Sequence, residues 1–233
     1  MPDDSFFPSS RPEKSIMERC LVFIDAGYLS LVVKQLFNGE YINYDIKSFA
    51  ISLAREQNLF CEKIFYYCAP PYQSSKGTPQ ENLRRSRYDS FVHSLRKRHD
   101  IIVREGRCQR TKNGFRQKGV DTLITMDLME MPQLKKSDNI IIITGDTDFV
   151  PVLDRIRSRD GIHVILYYYS EDKRNSKFSM SNHLLSVCDK KIRIGIIGLG
   201  FMGVTHYNIY KNMKDAEITA VSDCDSKKLE GDW

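Results

Sequence analysis

The stretch that decides the fold reads NIIIITGDTDFVPVLDRIRSRDG and covers residues 139–161. Its four consecutive isoleucines put apolar side chains on both faces of a strand over Asn139–Thr144, as in a parallel sheet that helices cover on each side. Phe149–Ser158 is predicted to form a helix, and Asp160-Gly161 a turn. Strand, turn and helix in this order are the repeating unit of an α/β protein.

The same alternation runs through most of the chain. Apolar runs predict further strands, and apolar residues at helical spacing predict further helices. The strands are CLVFIDAG at residues 20–27, CEKIFYYCA at 61–69 and Ile162–Tyr169, and the helices are Tyr28–Phe37, Asp45–Gln57, Gln80–Lys97 and Val120–Met131. Asp100–Arg110 and Phe115–Gln117 are predicted to be extended around a turn at Lys112–Gly114. The sequence therefore predicts a doubly wound, mainly parallel α/β sheet with helices on both faces.

The composition excludes several classes of protein. With 41% hydrophobic and 28% charged residues among 233, the chain is neither disordered nor collagen-like. Its longest apolar runs have the length of a strand, far short of the roughly 20 residues of a membrane-spanning helix. Residues 1–18 read as a flexible tail without the features of a signal peptide. Six cysteines without a CxxC pair are typical of free thiols in a reducing cytoplasm, where we expect the protein: Cys20, Cys61, Cys68, Cys108, Cys188 and Cys224.

Positive charge is concentrated in one part of the chain. The segment Arg84–Lys118 contains twelve basic and three acidic residues, a net charge of +9, whereas the whole chain carries only +5. A basic block on an otherwise mildly acidic protein indicates a surface for a polyanion such as a nucleic acid. The alternative is a solvated helix face followed by a charged hairpin, and charge alone favours neither interpretation.

Acidic residues follow the predicted strands at the points where these end. Asp25 ends the first strand, Asp146 and Asp148 follow the four-isoleucine strand, and Asp121 begins a helix that can point toward the same edge. The carboxyl ends of parallel strands meet at one edge of a sheet, where ligands bind. Two carboxylates ~4 Å apart repel by about 4 kcal/mol at an effective dielectric constant of ~20, so such a cluster needs a cation or must take up protons. Oxygen ligands favour Mg²⁺ or Mn²⁺ over zinc.

Each of these acids also has a purely structural interpretation. Asp121 and Asp148 could be helix N-caps, worth about 1 kcal/mol each, and Asp25 could be an ordinary turn residue. Asp146 is harder to explain in this way, because GDTD places two acids around one strand-to-helix turn. Asp127 lies six residues after Asp121, ~9 Å along the helix and ~120° around it. We therefore expect Asp127 to be an exposed acid, or one behind the cluster, and not a member of it.

Three segments together resemble a known family. FIDAGYL at residues 23–29, QKGVDTLITMDL at 117–128 and IIITGDTDFVPVLDRIRSRDGIHV at 141–164 are similar, in order and spacing, to the NYN domains of the LabA-like group within the PIN-like nuclease superfamily. SNHLLSVCD at 181–189 resembles the closing helix of that family, so the resemblance covers roughly Arg19–Lys190. The first motif departs from the family in reading DAGY, where many relatives have an asparagine after the acid or its glycine.

The resemblance implies a PIN-like sheet whose acids hold a divalent metal and, in active members, cleave RNA. Carried over by motif, the metal-binding and catalytic candidates are Asp25, Asp121, Asp146 and Asp148. The metal, Mg²⁺ or Mn²⁺, would activate a water for hydrolysis of a phosphodiester. Residues expected to bind the RNA backbone are Lys118, Arg96, Arg98, Arg107 and Arg110.

Further residues have a functional and a structural interpretation side by side. The hydroxyls of Thr144 and Thr147 could bond phosphate or metal-bound water, or they could cap a helix. The rings of Tyr88, Phe91 and Phe115 could stack on bases, although the helical spacing of the first two favours the core.

The last part of the chain carries a different pattern. IRIGIIGLGFMG at 192–203 is a predicted strand running into GxGxxG, and EITAVSD at 217–223 is a second strand that ends in an acid. This order is typical of a dinucleotide-binding βαβ unit and resembles the opening of a Gfo/Idh/MocA-type NAD(P)-dependent oxidoreductase. The candidate cofactor residues are Gly198, Gly200, Gly203 and Asp223. Because the body of such an enzyme is missing, we interpret residues 191–233 as a truncated fusion with at most weak dinucleotide binding.

The sequence therefore predicts a flexible tail at 1–18, an NYN domain at 19–190 and a Rossmann-type βαβ fragment at 191–233. The favoured function is a metal-dependent ribonuclease with RNA as its partner. One alternative is an RNA- or protein-binding regulator that keeps the fold without turnover, and another is an NAD(P)-binding fragment based on the C-terminal segment. No membrane partner is expected, and self-association is left open.

Overall fold

The computed structural model describes residues 17–194, with gaps at 38, 40–41, 43, 113, 136, 172–175 and 177. Most of the predicted N-terminal tail and most of the predicted C-terminal fragment lie outside the described residues. None of the helices in the described part of the chain combines the length and apolar character needed to span a bilayer.

A parallel sheet forms the centre of the fold. Its strands are β1 (Arg19–Asp25), β2 (Phe60–Cys68), β3 (Ile101–Glu105), β6 (Asn139–Ile143), β7 (His163–Tyr168) and β8 (Lys190–Arg193), and a separate hairpin consists of β4 (Arg107–Thr111) and β5 (Gly114–Lys118). Across the described residues, the strand order of the sheet is β3-β2-β1-β6-β7-β8. Every neighbouring pair in it is parallel, so all strands end at the same edge. We call this the carboxyl edge and its opposite the amino edge.

Helices cover both faces of the sheet. They are α1 (Ala26–Leu36), α2 (Ile46–Glu56), α3 (Pro79–Arg96), α4 (Val120–Lys135), α5 (Val150–Asp160) and α6 (Asn182–Ser186). Buried side chains of α1, α2 and α3 pack on one face, and those of α4, α5 and α6 pack on the other. The predicted doubly wound α/β fold is therefore confirmed.

The four isoleucines of β6 show why the strand has no polar alternation. Ile141 and Ile143 pack into the core on the α1–α3 side, whereas Ile140 and Ile142 pack into the core on the α4–α6 side. Each is at most 1% exposed. Burial of this kind contributes roughly 1.5–3 kcal/mol for each side chain, which makes β6 a rigid support for the loop that follows it.

Local sequence explains where several helices begin and end. Thr78 forms a capping box with Glu81 at the start of α3, and Pro79 occupies the first helical position, where its missing N–H is no loss. α5 ends at Gly161, whose φ of 69° lies in the left-handed region that glycine adopts readily.

The segment Asp100–Arg110, predicted as one extended stretch, is divided in two at Gly106. The part before Gly106 is β3 of the sheet, and the part after it is β4 of the hairpin. A Cβ at Gly106 would lie 2.6 Å from the carbonyl oxygen of Lys118 and 2.8 Å from Cγ2 of Val120. The glycine therefore allows the base of the hairpin to close tightly, just before α4 begins.

The last described strand crosses the predicted domain boundary at residue 190. β8 pairs with β7 from Ile165 to Tyr168, and Ile192 packs against the core. A division between residues 190 and 191 would thus cut a strand of the main sheet. The character of residues 195–233 stays a prediction, since they lie outside the described residues.

Candidate active site

The structure brings the four predicted acids to the carboxyl edge. Asp25 is the last residue of β1, and Asp146 and Asp148 follow β6, which is the neighbouring strand. Asp121 is the second residue of α4. The charges of Asp121 and Asp146 act on Asp25, and those of Asp146 and Asp148 act on Asp121. The acids therefore form one electrostatic unit, and their role as ligands stays a prediction.

Asp25 is the N-cap of α1. Its Oδ1 accepts hydrogen bonds from the amides of Gly27 at 2.9 Å and Tyr28 at 3.1 Å. Burial raises the pKa of the Asp25 carboxyl to about 6 even though these two amides oppose the shift, and the charges of Asp121 and Asp146 add to it. The carboxylate is thus held in a place that disfavours its charged form.

Asp146 is the N-cap of a short 3-10 turn over Thr147–Phe149. Its Oδ1 accepts the amide of Asp148 at 2.9 Å, and its own amide donates to Oγ1 of the fully buried Thr144 at 3.2 Å. Thr144 is therefore not the helix cap that was its structural alternative, but it bonds the capping residue, whereas Thr147 is exposed and its contact with phosphate stays a prediction.

The residues that cap helices differ from those suggested by the sequence. Asp121 and Asp148 had the N-cap interpretation, but the observed caps are Asp25 and Asp146. Asp121 lies inside the first turn of α4, where burial raises the pKa of its carboxyl, the charges of Asp146 and Asp148 add to the shift, and Arg116 opposes it. Asp121 and Asp148 are exposed residues. Neither of them is the N-cap of a helix in the described part of the chain.

Tyr28 holds the two acid-bearing turns together. Its ring packs against the backbone of Gly145, where a Cβ would lie 2.5 Å from Cε2 of the ring. Its hydroxyl accepts the amide of Tyr169 at 2.8 Å and donates to the carbonyl of Tyr169 at 3.2 Å. The start of α1, the turn after β6 and the end of β7 are therefore fixed to one another. Sequence reasoning missed this role, although the DAGY and TGD motifs contain both partners of the ring contact.

Asp127 was expected to be either an exposed acid or an acid behind the cluster. The first of these predictions is wrong. It is 4% exposed and forms two hydrogen bonds of 2.9 Å with the guanidinium of Arg104. The hydroxyl of Tyr67 donates to the same carboxylate at 2.9 Å. These bonds join α4 to β3 and β2, so Asp127 fixes the helix that carries Asp121. A helical wheel does not show this, because the cation comes from another part of the chain.

A cleft of about 550 Å³ opens at the carboxyl edge beside Asp25 and Asp121. Gln117 of the hairpin lines it, and a Cβ at Gly27 would lie 3.3 Å from Oε1 of Gln117 and 3.2 Å from Oδ1 of Asp25. The absence of a side chain at Gly27 thus lets the hairpin come close to the acids. The other end of the cleft is lined by aromatic rings, including Tyr66 and Phe91.

This arrangement agrees with a comparison of the sequence with protein families, in which the NYN domain matches residues 19–195. The chain belongs to the NYN domain family. Among solved structures, this NYN domain is similar to a protein of unknown function from Vibrio parahaemolyticus, with a TM-score of 0.51 and 20% sequence identity. The match covers 78% of this chain and 96% of the other, and at that identity it establishes the fold alone. No curated protein matches the chain.

The hairpin of the NYN domain carries exposed basic side chains. Arg107 and Arg110 of β4 and Lys118 of β5 are exposed, and Arg107 lies opposite Lys118 in the hairpin register. None of the three forms an ion pair within the described residues. Arg116, which the sequence analysis did not select, is the hairpin cation that acts on Asp121. Its position five residues before that acid is the signal that could have identified it.

The other two predicted RNA-binding residues have acidic partners. Arg96 forms an ion pair with Glu105, and Arg98 forms one with Asp45 at 2.7 Å. Arg98 also lies three residues before β3, which places it at the amino edge, away from the acid cluster. Arg116 of the hairpin is thus the cation that acts on the cluster, and the role of Arg96 and Arg98 in RNA binding stays a prediction.

The oxygen atoms of the acid cluster are of the kind that binds a hard divalent cation. All four candidates are carboxylates, which Mg²⁺ and Mn²⁺ prefer, and the pKa of Asp25 is raised mainly by burial, with a further contribution from the charges of Asp121 and Asp146. In the described part of the chain, however, no three Asp, Glu, His or Cys side chains stand close enough together to hold a metal ion. Mg²⁺ usually keeps several water ligands, so one or two of these carboxylates can bind it directly and the others through water.

Two further sets of residues were predicted to have a function: the rings that could stack on bases and the residues that could bind a dinucleotide. Tyr88 is half-buried, whereas Phe91 and Phe115 are 38% and 62% exposed, so that Phe91 is not the core residue that its spacing favoured. The candidate cofactor residues Gly198, Gly200, Gly203 and Asp223 lie outside the described residues, and dinucleotide binding stays a prediction.

Proposed function

We propose that this NYN domain is a metal-dependent ribonuclease that hydrolyses phosphodiester bonds of RNA at the carboxyl edge of its sheet. The observation that carries the proposal is the acid cluster around Asp25, whose carboxyl has its pKa raised to about 6 by burial and by the charges of Asp121 and Asp146. Strongly perturbed acids in a cleft are typical of functional sites. A purely structural N-cap would be better served by a residue away from other carboxylates.

The proposed ligands of the metal are Asp25, Asp121, Asp146 and Asp148. When bound, Mg²⁺ or Mn²⁺ would lower the pKa of a water molecule and stabilise the charge that develops on the phosphate. The capping bonds of Asp25 and Asp146 use Oδ1 in each case, which leaves Oδ2 without a hydrogen bond among the described residues. These bonds and the contact of Tyr28 with Gly145 orient the two carboxylates before any ligand arrives.

Binding of the RNA backbone is assigned to the hairpin. Arg107, Arg110, Arg116 and Lys118 are exposed and lie on the two strands that pass beside the cleft. Each cation that neutralises a phosphate releases a counterion, which gives binding its affinity and its dependence on salt. The hairpin would thus hold the chain of phosphates while the acids act on one of them.

The test is cleavage of a labelled single-stranded RNA by the purified protein. Mg²⁺ or Mn²⁺ should support cleavage, a chelator should stop it, and Asp146→Asn should abolish it while leaving the melting temperature of the metal-free protein close to that of the wild type. Tight binding of RNA without cleavage, with either metal, would contradict the nuclease proposal.

One observation favours a second candidate, a regulator that binds RNA or protein without turnover. No three potential ligands lie within coordinating distance of a common point in the described residues, as a permanently assembled metal site would require. The cleavage experiment separates the two candidates, because the regulator would bind RNA through the hairpin and leave it intact.

Two further assignments rest on the sequence. We place the chain in the LabA-like group, because its three motifs match that group in order and spacing. We place it in the cytoplasm, because the five described cysteines are all free thiols, as is typical of a reducing compartment.

A further inference from the structure

The cleft beside the acids is lined by two chemically different groups of residues. One group consists of Asp25, Asp121 and Gln117, and the other, which we call the aromatic end, consists of the rings of Tyr66, Tyr88 and Phe91. The rings of Phe91 and Tyr66 meet edge to face, with centroids 5.9 Å apart and planes at 73°. Phe91 is 38% exposed while Tyr66 is 8% exposed, so a buried ring supports an accessible one.

The polar atoms at the aromatic end are already bonded within the protein. The hydroxyl of Tyr88 donates to Glu105 at 2.8 Å and lies 3.0 Å from Sγ of Cys68. Tyr88 therefore offers the cleft its ring and not a free hydroxyl. A surface of this kind suits a flat, apolar face that needs no particular pattern of hydrogen bonds.

We infer that this aromatic end, formed by Phe91, Tyr66 and Tyr88, binds one unpaired base and makes the site selective for single-stranded RNA. The inference rests on the proposed function and specifies its substrate. The same cleft is continuous with the acids, so a base on Phe91 would place a neighbouring phosphate beside Asp25 and Asp121. The exposed cations of the hairpin complement the charge of the backbone between them.

The occupant is a nucleobase for two reasons. A volume of about 550 Å³ lies within the range of sites for small organic groups, roughly 300–1,000 Å³. Aromatic side chains beside a cationic surface are the usual means of binding single strands, because every base has a π-face. Bases in a duplex are already stacked and paired, and their faces cannot reach Phe91.

The experiment compares Phe91→Leu with Phe60→Leu. Phe60 is a matched control, because it is also exposed, at 56%, but begins β2 at the amino edge, away from the cleft. Both changes are made in an Asp146→Asn background, so that RNA is not cut during the measurement. Fluorescence anisotropy measures the affinity for a labelled single-stranded oligoribonucleotide, the same oligomer with abasic sites, and a duplex of the same length, and thermal melting checks the fold.

Phe91→Leu should weaken binding of the intact single strand on the order of tenfold, since stacking on an aromatic side chain contributes strongly to each base. It should leave the abasic oligomer and the duplex unchanged, and Phe60→Leu should change none of the three. Equal affinity of the Asp146→Asn protein for intact and abasic strands, or equal losses in the two variants, would overturn the base-binding site and leave the nuclease proposal standing. A protein that binds no RNA would contradict both.

Discussion

The acid cluster at the carboxyl edge and the acids at the amino edge differ in their partners. At the amino edge, acids have cations as partners over short distances: Lys47 bonds Asp100 at 2.8 Å, Arg98 bonds Asp45 at 2.7 Å and Arg157 bonds Asp189 at 2.7 Å. At the carboxyl edge, four acids lie together, and in the described part of the chain none of them has an ion-pair partner.

The pKa values of the acids follow this division. The guanidinium of Arg98 lowers the pKa of Asp45, and at Asp100 the tendency of burial to raise the pKa is outweighed by the ammonium of Lys47. At Asp25, burial prevails and the neighbouring acids add to it, so the pKa rises. The same residue type thus stabilises the fold at the amino edge and opposes it at Asp25, a contrast that is typical of functional sites and supports the proposed function.

The largest expected difference is between neutralising an acid of the cluster and neutralising an acid at the amino edge. Asp25→Asn or Asp146→Asn should lower the rate of RNA cleavage by at least about 100-fold, because each removes a charge from the metal site. Asp100→Asn should leave the rate within about threefold of the wild type, since exposed ion pairs have small effects. Initial rates of RNA cleavage with Mg²⁺ are measured for these variants. Equal losses of rate at the two edges would contradict a special role of the acid cluster.

The second expected difference is in RNA binding, between the cations of the hairpin and the cations that have acidic partners. Arg107→Gln combined with Lys118→Gln should weaken RNA binding about tenfold or more and reduce the salt slope by about 1.4, that is ~0.7 for each lost phosphate contact with a single strand. Arg96→Gln with Arg98→Gln should have a smaller effect, because Glu105 and Asp45 already neutralise these charges. The affinity for RNA is measured over a series of salt concentrations. An equal change of the salt slope in both double variants would contradict the assignment of RNA-backbone binding to the hairpin.

A third effect is a gain in stability. Asp25 has a pKa of about 6 in the folded protein and ~3.9 when unfolded, so the folded state binds the proton more tightly. The carboxyl therefore reduces the stability of the metal-free protein progressively as the pH rises from about 4 to about 6. Asparagine retains the capping bonds without the charge.

Metal-free Asp25→Asn should consequently be more stable than the wild type by about 1–3 kcal/mol at pH 8 and equal to it near pH 4. Urea unfolding at the two pH values measures the difference. A variant that is less stable than the wild type at pH 8 would show that Asp25 is a structural cap and not a strained acid.

The smallest effect is expected at the end of the described chain. A protein ending at residue 195 should melt at the temperature of the full chain and bind metal equally well, because β8 stays intact. A protein ending at residue 190 loses the rest of β8 and the packing of Ile192, and should melt several degrees lower. A large loss of stability on ending the chain at 195 would make the later residues part of the domain.

Much of the fold could be predicted from local patterns. The isoleucines of β6 and the apolar runs of β1 and β2 are buried on both faces, and the topology of a parallel sheet brought Asp25 and Asp146 together as expected. These features depend on periodicity and on a general rule of sheet geometry, which a single sequence contains. The division at Gly106 was missed, because its cause is a close approach of Lys118, twelve residues later.

The electrostatic partners could not be predicted in this way. Arg104 bonds Asp127 across 23 residues, and Arg98 bonds Asp45 across 53. Which basic residues remain free for RNA depends on such pairings, so the sequence identified a basic block but not which of its cations have acidic partners. Tyr28 was missed for the same reason, since its partner Tyr169 directly follows β7, far along the chain.

The measurement that tests the central claim most directly is thermal melting with and without saturating Mg²⁺ or Mn²⁺. In the proposed site the acids would bind the ion only in the folded state, so ~100 Kd of metal should raise the melting temperature of the wild type by about 5–10 °C at pH 8. Asp146→Asn should lose most of this rise, and Asp100→Asn should keep it. A melting temperature that saturating metal leaves unchanged in the wild type, or raises equally in Asp146→Asn, would contradict the metal site.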